Sequence, residues 1–398
     1  MQKAKLILPI IVISQFLGTS LWFAGNAVLA DLVINFNLDA TALQSLTSAV
    51  QFGFITGTLL FALLTIADRF SPSKVFFVCA ILGATFNAGL VLEGNTLTSI
   101  LGLRFLTGFF LAGIYPVGMK IATDYYQKGL GKSLGYLVGA LVLGTAFPHL
   151  LKDQLQAFPW ERIILFISLL ASLGGLLLYL FVPNGPFRKK STGLQLNSCI
   201  KVFKNTAFRK AAFGYFGHMW ELYTFWAFVP ILLKTYASLH PNTNFNIPLL
   251  SFFCIAVGSL ACVLGSSIAE KFGAKKTAMS SLFLSCCCCL LSPLFFLVGS
   301  ETVFVVFLLF WGMVVIADSP LFSQLVAENA PQKDKGTALT IVNCIGFSLT
   351  ILSIQVISYF YETANTNLVF MLLAIGPVLG LLALRKKRNT EVFSEARE

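Results

Sequence analysis

Along the chain, long apolar stretches alternate with short polar joints. A helix needs about 20 mostly apolar residues to cross a bilayer. Twelve stretches meet that need, at roughly 6–30, 43–67, 75–93, 97–122, 132–151, 162–182, 211–234, 247–269, 277–299, 302–328, 337–360 and 366–384. The joints are short except for one, about 183–210. Helices are expected throughout, because in lipid a helix satisfies its own backbone groups. The opening Met1-Gln2-Lys3-Ala4-Lys5 and the apolar run behind it resemble a signal peptide only superficially. The run continues through Ala30 without a clear small-residue cleavage site, so it reads as the first span.

Composition narrows the class. Of 398 residues, 57% are hydrophobic and only 11% charged, against about 25% charged in a soluble domain. A water-facing globule of this size lacks the polar side chains to cover itself, and a disordered chain needs low hydrophobicity. The net charge of +11, from 28 Lys+Arg against 17 Asp+Glu, first suggests nucleic acid. Placing the charges removes that reading. With both termini cytoplasmic, all of the 28 basic residues except Lys152, Arg162, Lys234 and Arg104 fall on inner segments, which is 24. That asymmetry is the positive-inside signal. The expected surroundings are a lipid bilayer, with no nucleic-acid partner.

Eight of the nine cysteines fall in apolar runs, and Cys199 lies in a basic loop. The run Cys286 to Cys289 steps about 100° per residue on a helix, so it does not converge on one ion. No metal site is expected, and the run reads as small apolar residues in a membrane helix. The chain has no G-x-x-x-x-G-K-[ST] nucleotide loop. No cofactor and no enzymatic activity are expected.

The chain repeats itself. Ile66-Ala67-Asp68-Arg69-Phe70-Ser71-Pro72-Ser73-Lys74 is echoed by Ile268-Ala269-Glu270-Lys271-Phe272-Gly273-Ala274-Lys275-Lys276, an interval of 202 residues. Each copy lies between the second and third spans of its half. Two parallel six-helix repeats follow: a bundle over 1–182, a cytoplasmic linker over 183–210, a second bundle over 211–384 and a tail over 385–398. Parallel repeats of this kind mark one class of secondary transporter.

These loops resemble the G-x-x-x-D-R-x-G-R-R signature of the major facilitator superfamily. The first copy has Ser71 where glycine is usual; the second is closer, with Gly265 and Gly273. Arg104-Phe105-Leu106-Thr107-Gly108 is similar to the family's R-x-x-x-G motif. The fifth span carries Gly135, Gly139, Gly144 and Pro148 but lacks the G-P-x-x-G-G form of many drug antiporters. The resemblance implies the twelve-helix fold of that family with both termini cytoplasmic. It also implies that the loop acids Asp68 and Glu270, with Arg69 and Lys271, hold the cytoplasmic side closed. Topological anchoring alone would account for the same basic residues.

Ionised groups in the bilayer core cost about 2.5–3.5 kcal/mol or more, so they are functional candidates by default. His218 and Glu221 on the seventh span are three residues apart and share a face. They read either as a proton-handling pair or as a mutually satisfied buried pair. Asp318, seven residues after Trp311, precedes Ser319-Pro320; Pro320 frees the carbonyl of Ile316 and allows a kink. Arg104 suits an anionic group or a buried acid, with Tyr115 eleven residues on along nearly the same face. Lys120 has Asp124 four residues on and reads either as a salt-bridged helix end or as a substrate contact. His149 sits at the outer end of the fifth span. Trp22 and Asn26 are expected to line a cavity opposite Trp220 and Tyr223, with Trp311 beside it. Gly135 and Gly139 permit close helix approach.

The function expected is alternating-access transport of a small solute with a proton as co-substrate, by a monomer in the bacterial inner membrane. Arg104 suggests an organic-anion symporter. Glu221, Asp318 and the aromatic residues suggest a proton-driven drug or cation exporter instead. A non-transporting receptor or an intramembrane enzyme of the same fold is the reading from another class.

Overall fold

The computed structural model describes residues 2–39, 42–126, 130–188, 201–331, 335–364 and 367–385, and these are helical without strands. Cys199, the basic residues Lys128, Lys189, Lys190, Lys333, Lys386, Lys387, Arg388 and Arg397, and most of the 385–398 tail lie outside the described residues. Among the described residues, eleven helical segments are long and apolar enough to cross a membrane. The twelfth is the first in the chain, Gln2–Thr19 continued by Ala24–Ala27 and Leu29–Phe36. This is the twelve-helix arrangement that the hydrophobic pattern predicts.

Three spans depart from the continuous helices expected. The first breaks over residues 20–23, the fourth between Leu97–Leu111 and Tyr115–Tyr125, and the tenth between Glu301–Val314 and Ser319–Asn329. The last two breaks have a shared cause. Pro116 and Pro320 each sit in the first turn of the following helix, where the missing N–H is tolerated. Neither can complete the ladder of the preceding helix. The break in the fourth span removes the straight-helix argument that put Arg104 and Tyr115 on one face.

The repeat extends from loop to packing. A Cβ on Gly108 of the fourth span would collide with the carbonyl oxygen of Val50 on the second (Ala42–Leu63). A Cβ on Gly312 of the tenth would collide with that of Cys254 on the eighth (Ile247–Phe272). Gly108 and Gly312 are 204 residues apart, as are Val50 and Cys254, and Pro116 and Pro320. The loop acids keep their interval of 202 because the connections differ locally. The second span stops at Leu63, and Thr65 takes a left-handed turn at φ 51 before the short helix Ile66–Arg69. The eighth runs unbroken to Phe272 and turns at Gly273, φ 88.

The halves meet along the fifth (Leu130–Gln154) and eighth spans, where Gly135 and Gly139 pack on Ser266 and Ser259. Small residues there let two helices approach closely. At the end opposite the basic loops, Asn246 donates to Asp153 at 2.5 Å and Gln355 to Ser48 at 3.0 Å, both across the halves.

Candidate functional site

The seventh span (Thr206–Leu239) runs through the centre of the second half, and it carries His218 and Glu221. Both are buried, as the shared face requires, yet they do not serve each other. His218 Nδ1 lies 2.8 Å from Asp318 Oδ1, with both side chains 1% exposed. Asp318 occupies the N-cap of the second part of the tenth span, at the break itself. Its other oxygen and His218 Nε2 have no protein partner. The carbonyl of Ile316, which Pro320 frees as expected, is taken by Ser319 N at 3.0 Å and by the Cys262 thiol at 3.7 Å.

Glu221 faces another set of donors. Its Oε1 accepts from Trp311 Nε1 at 2.6 Å, from Cys289 Sγ at 3.2 Å and from the Ser285 hydroxyl. An indole N–H can only donate, so this oxygen is an acceptor, and three converging donors suit a carboxylate. The His218–Glu221 pairing is thus corrected to two cross-helix pairs, His218–Asp318 and Glu221–Trp311. Spacing on one helix shows who shares a face; it does not show what the facing helices supply. Cys289, part of a run that reads as apolar residues, and Ser285 beside that run are thus donors to Glu221.

Arg104 is fully buried, but no acid pairs with it. Its NH2 donates to the carbonyls of Trp22 at 2.6 Å and Leu21 at 3.2 Å, and its NH1 to Asn87 Oδ1 at 3.0 Å. Those two carbonyls are freed by the break in the first span. Asn87 is held in turn by Ser168 at 3.0 Å. The guanidinium therefore secures an interrupted helix, and the anion or buried acid expected beside it is replaced by backbone oxygens.

The expected cavity residues divide. Trp22 does face Tyr223, with ring centres 5.4 Å apart and planes 27° apart. Tyr115, at the start of the fourth span's second part, is half-buried against the core. Trp220 turns away from the centre and donates to the Leu372 carbonyl at 3.1 Å, within its own half. Asn26 donates to Thr47 at 2.8 Å, tying the first span to the second. Both contacts are packing inside a half, because polar groups in apolar surroundings take the first partner their helix neighbours offer. His149 is buried, and its Nε2 has no protein partner.

The loop residues also divide. Asp68 pairs with Lys120 at 3.1 Å, and Lys120 reaches Asp124 at 3.4 Å. Arg188 donates to the carbonyls of Asp68 and Phe70, each at 2.8 Å, and Arg69 Nε to Thr65 at 3.0 Å. Glu270 and Lys271 are exposed and form no ion pair with another described residue.

Such a duplicated bundle of broken helices, with Arg104, His218, Glu221 and Asp318 buried inside its spans, has the parallel-repeat architecture of one class of secondary transporter. The comparisons place it further. Residues 11–354 match the family model described as Major Facilitator Superfamily, and the chain belongs to that family. Its members are transporters and not enzymes. A bicyclomycin resistance protein homolog of Haemophilus influenzae is 23% identical over 252 residues, covering 61% of this chain and 62% of that protein. A multi-drug resistance efflux pump PmrA homolog of Lactococcus lactis is 27% identical over 207 residues, 51% of this chain and 50% of that protein. The chain thus aligns with only about half to three fifths of these relatives' lengths. The crystal structure of the human organic anion transporter MFSD10 (TETRAN) shares the fold with a TM-score of 0.76 at 14% identity, covering 96% of this chain and 99% of that one.

Proposed function

We propose that this protein is a proton-coupled secondary transporter of a small, mainly apolar solute, with the proton carried by the His218–Asp318 pair. The observation that carries this reading is that pair's placement: fully buried, at a helix break, with one free atom on each side chain. With one shared proton the pair is neutral as a whole, whichever side chain holds it. A second proton gives it a net positive charge and loosens the contact. Burying an uncompensated charge is costly, so proton number biases which arrangement of the halves is stable. A bound solute that favours one arrangement then shifts proton occupancy, and by linkage the reverse also holds.

Between the two solute classes the sequence suggested, the geometry supports the drug or cation exporter over the organic-anion symporter. Arg104 is committed to backbone carbonyls. Two of the chain's relatives are named for drug resistance and efflux, and both come from bacteria, which fits a bacterial plasma membrane. Glu221, whose Oε1 takes three donors from its own half, is assigned a positioning role in this reading. In proteoliposomes challenged with a panel of aromatic solutes, Asp318→Asn should abolish gradient-driven movement while keeping solute counterflow. Glu221→Gln should keep both, because an amide oxygen still accepts from Trp311. Gradient-driven movement by Asp318→Asn at the normal rate would refute the proposal.

A further inference from the structure

Four aromatic rings close the contact between the halves at its centre. Trp22 and Phe54 come from the first half, Tyr223 and Phe347 from the second. Trp22 stacks on Tyr223 at 5.4 Å and on Phe347 at 5.6 Å, with planes 27° and 25° apart. Phe54 meets Phe347 at 4.6 Å. Four buried polar atoms on these spans have no protein partner: Nε1 of Trp22, Nε1 of Trp226 and both amide atoms of Gln51, each on a side chain no more than 1% exposed. Trp226 joins the cluster through Tyr223, at 5.1 Å.

The direction of Gln51 follows from its helix. Thr47 accepts from Asn26 and Phe54 meets Trp22, so positions 47 and 54 face the first span. Ser48 accepts from Gln355 and the Ile55 carbonyl meets Cys344, so positions 48 and 55 face the eleventh (Lys335–Ala364). At about 100° per residue, Gln51 falls between these two sets. It points toward the junction that holds Trp22 and Phe347. Folded proteins rarely strand a buried amide, and each case calls for an explanation.

Resting on the reading of a secondary transporter whose halves change their arrangement, we propose that this cluster is the solute site and that it selects flat aromatic solutes bearing an uncharged amide-type group. Indole N–H groups only donate, so they call for an acceptor such as an amide carbonyl. The Gln51 side chain donates and accepts. It therefore complements a carboxamide in both senses, and a carboxylate or an ammonium in only one. The charged groups have their main contacts elsewhere: Arg104 NH1 and NH2 bind Asn87 and the first span's carbonyls, leaving Nε without a protein partner, Glu221 Oε1 takes donors from its own half, and Asp318 Oδ1 faces His218. When the halves part, Trp22 leaves Tyr223 and Phe347, and a flat ring between them restores stacking on both sides.

Benzamide, benzoate and benzylamine carry one ring and differ in charge. Thermal-shift titration of the purified full chain in detergent ranks them, since a ligand of the folded state raises its melting temperature. Benzamide should bind about tenfold or more tighter than either of the others. Gln51→Leu should erase that preference and raise the melting temperature of the unliganded protein, because an apolar side chain replaces a stranded amide; Gln51→Met should do the same. A lower unliganded melting temperature in both variants would mark Gln51 as purely structural and overturn the proposal. An equal response to the three probes, a preference for benzoate, or a benzamide preference that survives Gln51→Leu overturns it as well. Asp318→Asn, titrated in parallel, separates the site from the coupling. A benzamide preference retained there supports the site even if proton coupling fails, and a preference lost there as in Gln51→Leu contradicts it.

Discussion

In the first half, Gly108 packs on the Val50 carbonyl and Pro116 follows a broken helix; in the second, Gly312 packs on the Cys254 carbonyl and Pro320 follows another. The scaffold is repeated to the level of single backbone contacts. The buried charges are not. Arg104 in the first half binds backbone oxygens and an asparagine, all of them neutral partners. His218 and Asp318 in the second half face each other at 2.8 Å, and on the proposed reading they carry the proton. The inner loops reverse the contrast, since Asp68 is paired and Glu270 is not. One fold thus holds a half whose buried charge is tied to the backbone and a half in which, on the proposed reading, the buried charge changes.

That difference can be broken in order of expected effect. Asp318→Ala strands His218 in the interior and should cost about 3–5 kcal/mol of stability, seen as a large fall in melting temperature. Adding His218→Leu should recover most of the loss; a double variant no better than the single one contradicts the pairing. Arg104→Leu leaves the carbonyls of Leu21 and Trp22 without their donor and should cost about 1–3 kcal/mol. Protein that survives should still couple protons, and loss of coupling at unchanged melting temperature would place Arg104 in the proton path.

Smaller effects test the shared scaffold. Gly108→Ala and Gly312→Ala each force two backbones apart and should each cost about 1–3 kcal/mol, to a similar extent. Free tolerance at one position would show that the two contacts are not equivalent. Asp68→Asn removes a partly exposed ion pair worth up to about 1 kcal/mol, whereas Glu270→Gln should leave the melting temperature unchanged. Equal shifts at the two loops would erase the contrast drawn between them.

Much of the fold was legible from the spacing of apolar residues, because bilayer thickness sets span length and backbone satisfaction enforces helices. The duplicated Asp68 and Glu270 loops revealed the repeat. The rarity of ionised residues in the spans singled out Arg104, His218, Glu221 and Asp318. What those groups touch was not legible, since each partner comes from a span distant in sequence. Asp318 lies 100 residues beyond His218, and Cys289 reaches Glu221 from a run that looked like filling. The break in the first span has no proline and therefore left no sign of the carbonyls that hold Arg104. Gln51 and Asn87 were the readable signals that went unused: neutral amides inside apolar spans, one left without a partner and the other bound to Arg104.

The most direct test follows protons with a pH-sensitive dye sealed inside proteoliposomes. Addition of a transported aromatic solute should move protons across membranes containing the wild-type chain or Glu221→Gln, and should move none across those containing Asp318→Asn, although that variant still exchanges solute. Proton movement through Asp318→Asn equal to wild type would contradict the central claim that the second half, through His218 and Asp318, carries the proton.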